Sequence, residues 1–167
     1  ICNNTFDGGG RVLRYSATTG TLRFTGNMVS GATENPIYIA DTTNPNAVIE
    51  GNTFTGSYAR AIYSVAGMVF RNNQAQGGVW GGAGSVIEGN TIRATVTTEP
   101  TLLIKDGTVL RNNSILSDFY PVMIDGANAL IERNYITTLA GGASGLPGCG
   151  ALNTCSGNWS AGQLPPP

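Results

Sequence analysis

The chain has 167 residues, 41% of them hydrophobic, which is enough for one domain with a sizeable core. Only 11% are charged, against about 25% in an ordinary soluble domain. The formal net charge is −1 and the nine basic residues are spread thinly, so no cationic patch exists to neutralise phosphates and nucleic acid is not expected as a partner. No apolar run approaches the roughly 18 residues of a spanning helix, so no membrane partner is expected either.

Taken from the N-terminus, the chain repeats one phrase: apolar, two arbitrary residues, Asn, one arbitrary residue, apolar. It opens as "ICNNTF" at Ile1, so the chain is expected to be a fragment or a processed product. It returns as "FTGNMV" at Phe24, "IEGNTF" at Ile49, "FRNNQA" at Phe70, "IEGNTI" at Ile87, "LRNNSI" at Leu110 and "IERNYI" at Ile131. The Asn residues are Asn4, Asn27, Asn52, Asn73, Asn90, Asn113 and Asn134, at spacings of 23, 25, 21, 17, 23 and 21.

Each phrase predicts a short strand before the Asn, a bend at it, and a second short strand after it. Between phrases lies a further apolar piece: "PIYIAD" from Pro36, "AIYSVAG" from Ala61, "TLLIKDG" from Thr101 and "PVMIDG" from Pro121. Three short strands in about 22 residues, with no helical period between them, describe one coil of a parallel β-solenoid.

Stacked coils bring equivalent residues about 4.8 Å apart, so the Asn column predicts a ladder of amide hydrogen bonds along the axis. Asn also tolerates the left-handed backbone of a tight bend, so the ladder residue is expected to hold the bend as well. Phe24, Ile49, Phe70, Ile87, Leu110 and Ile131 before the bend should face the core. So should Phe6, Val29, Phe54, Ala75, Ile92, Ile115 and Ile136 after it. Two residues before the Asn, on the outer face, the column reads Glu50, Arg71, Glu88, Arg111, Glu132, so every neighbour is expected to attract and a one-coil slip would oppose like charges.

In coil length, Asn ladder and the repeated "N-T-F/I" phrase, the chain resembles the right-handed parallel β-helix proteins of the pectate-lyase-like superfamily. These include pectate lyases, polygalacturonases, alginate epimerases, periplasmic β-helix repeat proteins and phage tailspikes. The resemblance implies an all-β, right-handed parallel β-helix; the seven phrases give it about seven coils over residues 1–140, and the Gly/Ser/Pro-rich stretch 141–167, which breaks the repeat, is expected to be an irregular cap and tail. The resemblance also implies an extracellular, periplasmic or virion-surface protein with a polysaccharide partner, and a trimer if the likeness is to tailspikes. The chain contains no His, so the His-dependent signatures of the family are absent. No close match to a lyase calcium site with its Arg or Lys base is found.

Two groups of candidate site residues remain. Tyr38, Tyr63, Trp80, Leu103 and Met123 should form one outward column starting at Arg14, its aromatic faces available to successive sugar rings; glycan binding and an oligomer contact are both open. At the end of the same strands, Asp41, Asp106 and Asp125 hold related positions. Asp106 and Asp125 on adjacent coils, with Lys105 beside them, suit calcium or an acid–base pair if they converge, and ordinary Asp-Gly turns if they do not. In the cap, a bridge between Cys149 and Cys155 would close a small loop and point to an oxidising setting, whereas zinc lacks ligands. Cys2 reads as a free thiol. Leu146, Leu152 and Trp159 are expected to cover the last coil, leaving Pro165 to Pro167 as an extended tail.

Overall fold

The computed structural model describes residues 1–16, 20–40, 47–95, 98–118, 120–138 and 149–160. Asp41, Leu146 and Pro165 to Pro167 lie outside them.

The described strands pair in parallel with their equivalents in the adjoining coils, those at the sheet ends on one side only, and three sheets result. The first sheet holds Leu22–Thr25, Ala47–Glu50, Met68–Arg71, Val86–Glu88, Val109–Arg111, Leu130–Glu132 and Thr154–Ser156. The second follows the bend: Thr5–Asp7, Met28–Ser30, Thr53–Thr55, Gln74–Gln76, Thr91–Ala94, Ser114–Ser117, Tyr135–Thr138 and Trp159–Ser160. The third holds Leu13–Tyr15, Ile37–Ile39, Arg60–Ser64, Gly78–Trp80, Pro100–Ile104 and Tyr120–Ile124. Six turns contain a strand of each sheet, with a partial turn after them, close to the seven coils expected.

The core is the inside of this coil. All the residues expected inside are buried except Phe6, which packs against the core in the outermost described turn. Phe6, Phe24, Phe54 and Phe70 form a continuous ring stack, with successive centroids 5.8, 6.4 and 6.2 Å apart.

The Asn ladder forms. At each step the backbone N–H of one rung donates to the Oδ1 of the next at 2.8–3.0 Å, and its Nδ2 donates to the same oxygen at 2.9–3.2 Å. Asn27 through Asn134 are buried, where an unpaired amide is costly and a paired one fixes the register.

The bend itself is placed differently from the expectation. The left-handed residue is the one before each rung: Asn3, Gly26, Gly51, Asn72, Gly89, Asn112, Arg133 and Gly157, all at φ between +53° and +64°. The chain therefore reverses one residue early, which leaves the rung free to point its amide into the corner. Gly and Asn occupy that position because they pay least for it; Arg133 is the exception.

The charged column is in register, but its ion pairs group in twos. Arg71 meets Glu50 at 2.9 Å and Arg111 meets Glu88 at 2.9 Å, while Glu132 pairs with its neighbour Arg133 at 2.8 Å rather than with Arg111. The hydrogen bond and charge of Glu50 hold the Arg71 guanidinium above its ordinary range, with a smaller contribution from Glu88 one coil on. Glu88, and more distantly Glu132, do the same for Arg111.

The C-terminal stretch also departs from the expected lid. Cys155 pairs with Ile131 and Trp159 with Tyr135 as strand continuations, and Asn158 is an eighth rung that accepts from Asn134. Leu152 sits in the connecting turn and is 70% exposed, so it covers nothing. Cys149 and Cys155 are bonded, six residues apart in sequence, and Cys2 is free and exposed.

Candidate functional site

On the outer face of the third sheet, Arg14, Tyr38, Tyr63, Trp80, Leu103 and Met123 occupy one column in register. Parallel in-register strands set their side chains about 4.8 Å apart, close to the separation at which flat rings stack. The rings accordingly pack on each other: Tyr38 and Tyr63 have centroids 5.4 Å apart with planes 15° from parallel, and Trp80 follows at 6.0 Å and 42°. Their faces are turned towards one another and their edges outward, so the expected lining of sugar rings on exposed aromatic faces is not the geometry found. The Trp80 indole N–H donates to the Pro100 carbonyl at 2.9 Å, which fixes that ring.

Three guanidinium groups complete the column. Arg11 lies 4.7 Å and Arg14 5.8 Å from the Tyr38 ring centre; Arg60 lies 3.8 Å from that of Trp80 and 5.6 Å from that of Tyr63. Such contacts attract cation to ring. Arg11 also pairs with Glu34 and Arg60 with Glu99, both at 2.6 Å.

Neither Arg11 nor Arg60 stands out in the sequence. Strict alternation would put Arg60 and Tyr63 on opposite faces, but a bulge intervenes. Gly78 pairs with Arg60 and Val79 with Ile62, so Ala61 and Ile62 both point inward and Arg60 rejoins the outer face with Tyr63. The consecutive buried pair is the signal that betrays it.

Beside Trp80 the surface sinks into a depression of about 270 Å³, lined by Tyr63, Trp80, Leu103, Lys105, Asp106 and residues 64–65 and 81–83. The coil length accounts for it. Only 17 residues separate Asn73 from Asn90, and the connection after Trp80 is the tight "GGAG". A Cβ on Gly82 would meet the Val65 carbonyl oxygen at 2.3 Å, one on Gly81 the Ser85 Oγ at 2.5 Å, and one on Gly67 the Ala83 carbonyl oxygen at 2.6 Å. The missing side chains let this coil lie flush against its neighbour and leave the surface open above it.

Asp106 and Asp125 are engaged by separate partners. The Lys105 ammonium pairs with Asp125. Asp106 is offset from Asp125 by one position along the strand and uses one oxygen to accept the Ala127 N–H at 2.7 Å. Gly126 lies directly over the Lys105–Asp106 peptide. Among the described residues no group of three or more His, Cys, Asp or Glu side chains is gathered as a metal would require, and no helix is long and apolar enough to cross a membrane. What the structure does bring together are two groups read separately in the sequence: the aromatic column, through Tyr63 and Trp80, and the strand-end polar pair Lys105 and Asp106.

Comparison with known proteins agrees with the architecture. The family profile described as a right handed beta helix region matches residues 1–162. No curated protein and no solved structure matches the chain. With a match over nearly its whole length and a parallel three-sheet solenoid, the chain belongs to the right handed beta helix region family.

Proposed function

We propose that the protein is a carbohydrate-recognition β-helix acting outside the cytoplasm or on a virion, and that it binds a polysaccharide segment at the depression beside Trp80. The family and fold support a carbohydrate-associated or structural β-helix in general. The observation that carries the finer reading is the joining, in one concavity, of the apolar edges of Tyr63, Trp80 and Leu103 with the charged heads of Lys105 and Asp106. A sugar ring has the matching chemistry, an apolar patch of C–H bonds surrounded by hydroxyls. Lys105 is neutralised by Asp125 and Asp106 is left as the unpaired charge of the lining, so the concavity favours a neutral sugar over an acidic one. Its volume is just under the usual range for small-molecule sites of about 300–1,000 Å³, suited to one or two sugar rings of a longer chain. The test is titration calorimetry of neutral oligosaccharides against the protein and its Tyr63→Ala/Trp80→Ala variant; equal binding by both excludes the site.

A second reading is a structural shaft that associates with copies of itself. It is favoured by the continuation of the outward column through Leu103 to Met123, which is 41% exposed. Sedimentation equilibrium separates the two, since a self-associating shaft is expected as an oligomer, a trimer if tailspike-like, and the glycan-binding reading requires the column to be open.

A further inference from the structure

The second sheet carries a different outer face. Its inward residues Phe54, Ala75 and Ile92 belong to the core, and between them the strands send out Thr53 and Thr55, Gln74 and Gln76, and Thr91 and Arg93. These six line a depression of about 180 Å³. It adjoins another of about 180 Å³ that shares Gln76 and Arg93 and runs on past the turn to Ser57 and Thr95. The result is a strip crossing three coils, with hydrogen-bonding side chains about 4.8 Å apart along the axis and no carboxylate in its lining.

Two cations stand apart from the rest: Arg23, exposed on the outer face of the first sheet, and Arg93, the one that lies in the strip. Six of the nine basic side chains are ion-paired: Arg11, Arg60, Arg71, Lys105, Arg111 and Arg133. Arg14 lies over the Tyr38 ring. Arg93 has no ion pair, ring contact or side-chain hydrogen bond to the described residues, and it is exposed within the strip. Gln76 is oriented by its neighbour: its Oε1 accepts the Gly56 N–H at 3.1 Å. With that oxygen occupied, its two N–H donors are left for the strip. A guanidinium and a side-chain amide, both presenting donors among neutral hydroxyls, suit a ligand that offers acceptors and carries negative charge.

We infer that the outer face of the second sheet is a distinct binding strip for an acidic glycan, with a carboxylate or sulfate on Arg93 and sugar hydroxyls on the Thr and Gln side chains of 53–55, 74–76 and 91. The strip lies on another sheet from the depression beside Trp80 and differs from it in charge. The two are therefore separable by variants and by ligands.

The experiment titrates the full chain with three oligosaccharides of equal length: one uronate, one sulfated and one neutral. It uses the protein itself, Arg93→Gln, Gln76→Ala/Thr91→Ala, and Tyr63→Ala/Trp80→Ala. The acidic oligosaccharides are expected to bind the Tyr63→Ala/Trp80→Ala variant undiminished and to bind Arg93→Gln roughly tenfold more weakly, as loss of a charge-assisted hydrogen bond implies. Neutral oligosaccharide should be indifferent to Arg93→Gln. The uronate and sulfated arms identify which oxyanion the strip prefers. Acidic ligands that bind Arg93→Gln like the parent, that bind no variant at all, or that vanish with Tyr63 and Trp80 overturn the strip. Because Arg93 is exposed and unpaired, Arg93→Gln should melt with the parent, which keeps a binding loss distinct from unfolding. Failure of neutral binding alone counts against the depression beside Trp80 and leaves the strip standing.

Discussion

The Asn90 Oδ1 accepts both the backbone N–H of Asn73 at 2.9 Å and its Nδ2 at 3.1 Å, a two-point clasp between coils joined by only 17 residues. Asn73 in turn accepts the same pair of bonds from Asn52 and donates to the Ile49 carbonyl. Asn73→Ala therefore leaves several buried donors and acceptors unpaired, each at about 1–3 kcal/mol. The expected loss is about 3 kcal/mol or more by urea denaturation. Asn4→Ala, at the exposed start of the ladder, should cost under about 1 kcal/mol for the same chemistry. Equal losses at the two positions would contradict a ladder whose strength comes from burial.

Arg133 occupies the left-handed position at φ +53° that Gly or Asn fills in the other coils. Such a conformation costs a side-chain-bearing residue about 1–2 kcal/mol. The Arg133–Glu132 pair is exposed and repays little. Arg133→Gly is expected to raise stability by about 1 kcal/mol, the left-handed penalty less part of glycine's entropy. A lowered denaturation midpoint would show that Arg133 is held there by something stronger than its ion pair.

Tyr58 is buried at 4% exposure with its hydroxyl unpartnered among the described residues, and burial raises its pKa far above the ordinary value. In the unfolded chain it ionises near pH 10. Above that pH the unfolded state releases a proton that the folded state retains, so stability falls as pH rises. Tyr58→Phe should remove this alkaline loss and, by deleting an unsatisfied group, be neutral or stabilising by about 1 kcal/mol at pH 7. Denaturation of both forms at pH 7 and pH 11 checks the sign; a parallel decline rejects it.

Gly82→Ala puts a methyl group 2.3 Å from the Val65 carbonyl oxygen, which belongs to the backbone and cannot rotate away. The neighbouring coil must shift, at about 1–3 kcal/mol. On the proposed function, neutral-oligosaccharide affinity should drop even though Tyr63, Trp80, Lys105 and Asp106 are all retained. Affinity unchanged despite the lost stability would place the binding elsewhere.

The parts of the molecule that recur were legible in the sequence. Asn27 to Asn134 and Phe24 to Ile131 repeat once per coil, and repetition carries both the coil length and the inward face. Features set by local backbone geometry were not. The left-handed residue precedes the rung, and the evidence lay in the adjacent letters: Gly26, Gly51 and Gly89 alternating with Asn72 and Asn112. Arg60 was hidden by a bulge that breaks the two-residue period, and the edge-on arrangement of Tyr38 and Tyr63 follows from coil spacing rather than residue type. Asn158 was obscured by its Gly- and Ser-rich surroundings, although it falls 24 residues after Asn134 and "CSGNWS" has its Asn in the right place.

The ladder runs one way only. Each rung from Asn4 to Asn134 donates to the next, and each from Asn27 to Asn158 accepts from the one before, so the column has a sense, like an arrow drawn along the axis. A coil duplicated and inserted in the same direction meets acceptors ahead and donors behind and extends the arrow. A coil entering in reverse would set donor against donor at one joint and acceptor against acceptor at the other. The solenoid is thus modular in length but not in orientation, which makes whole-coil insertion between Asn52 and Asn113 the natural way to vary its reach without redesigning its interior.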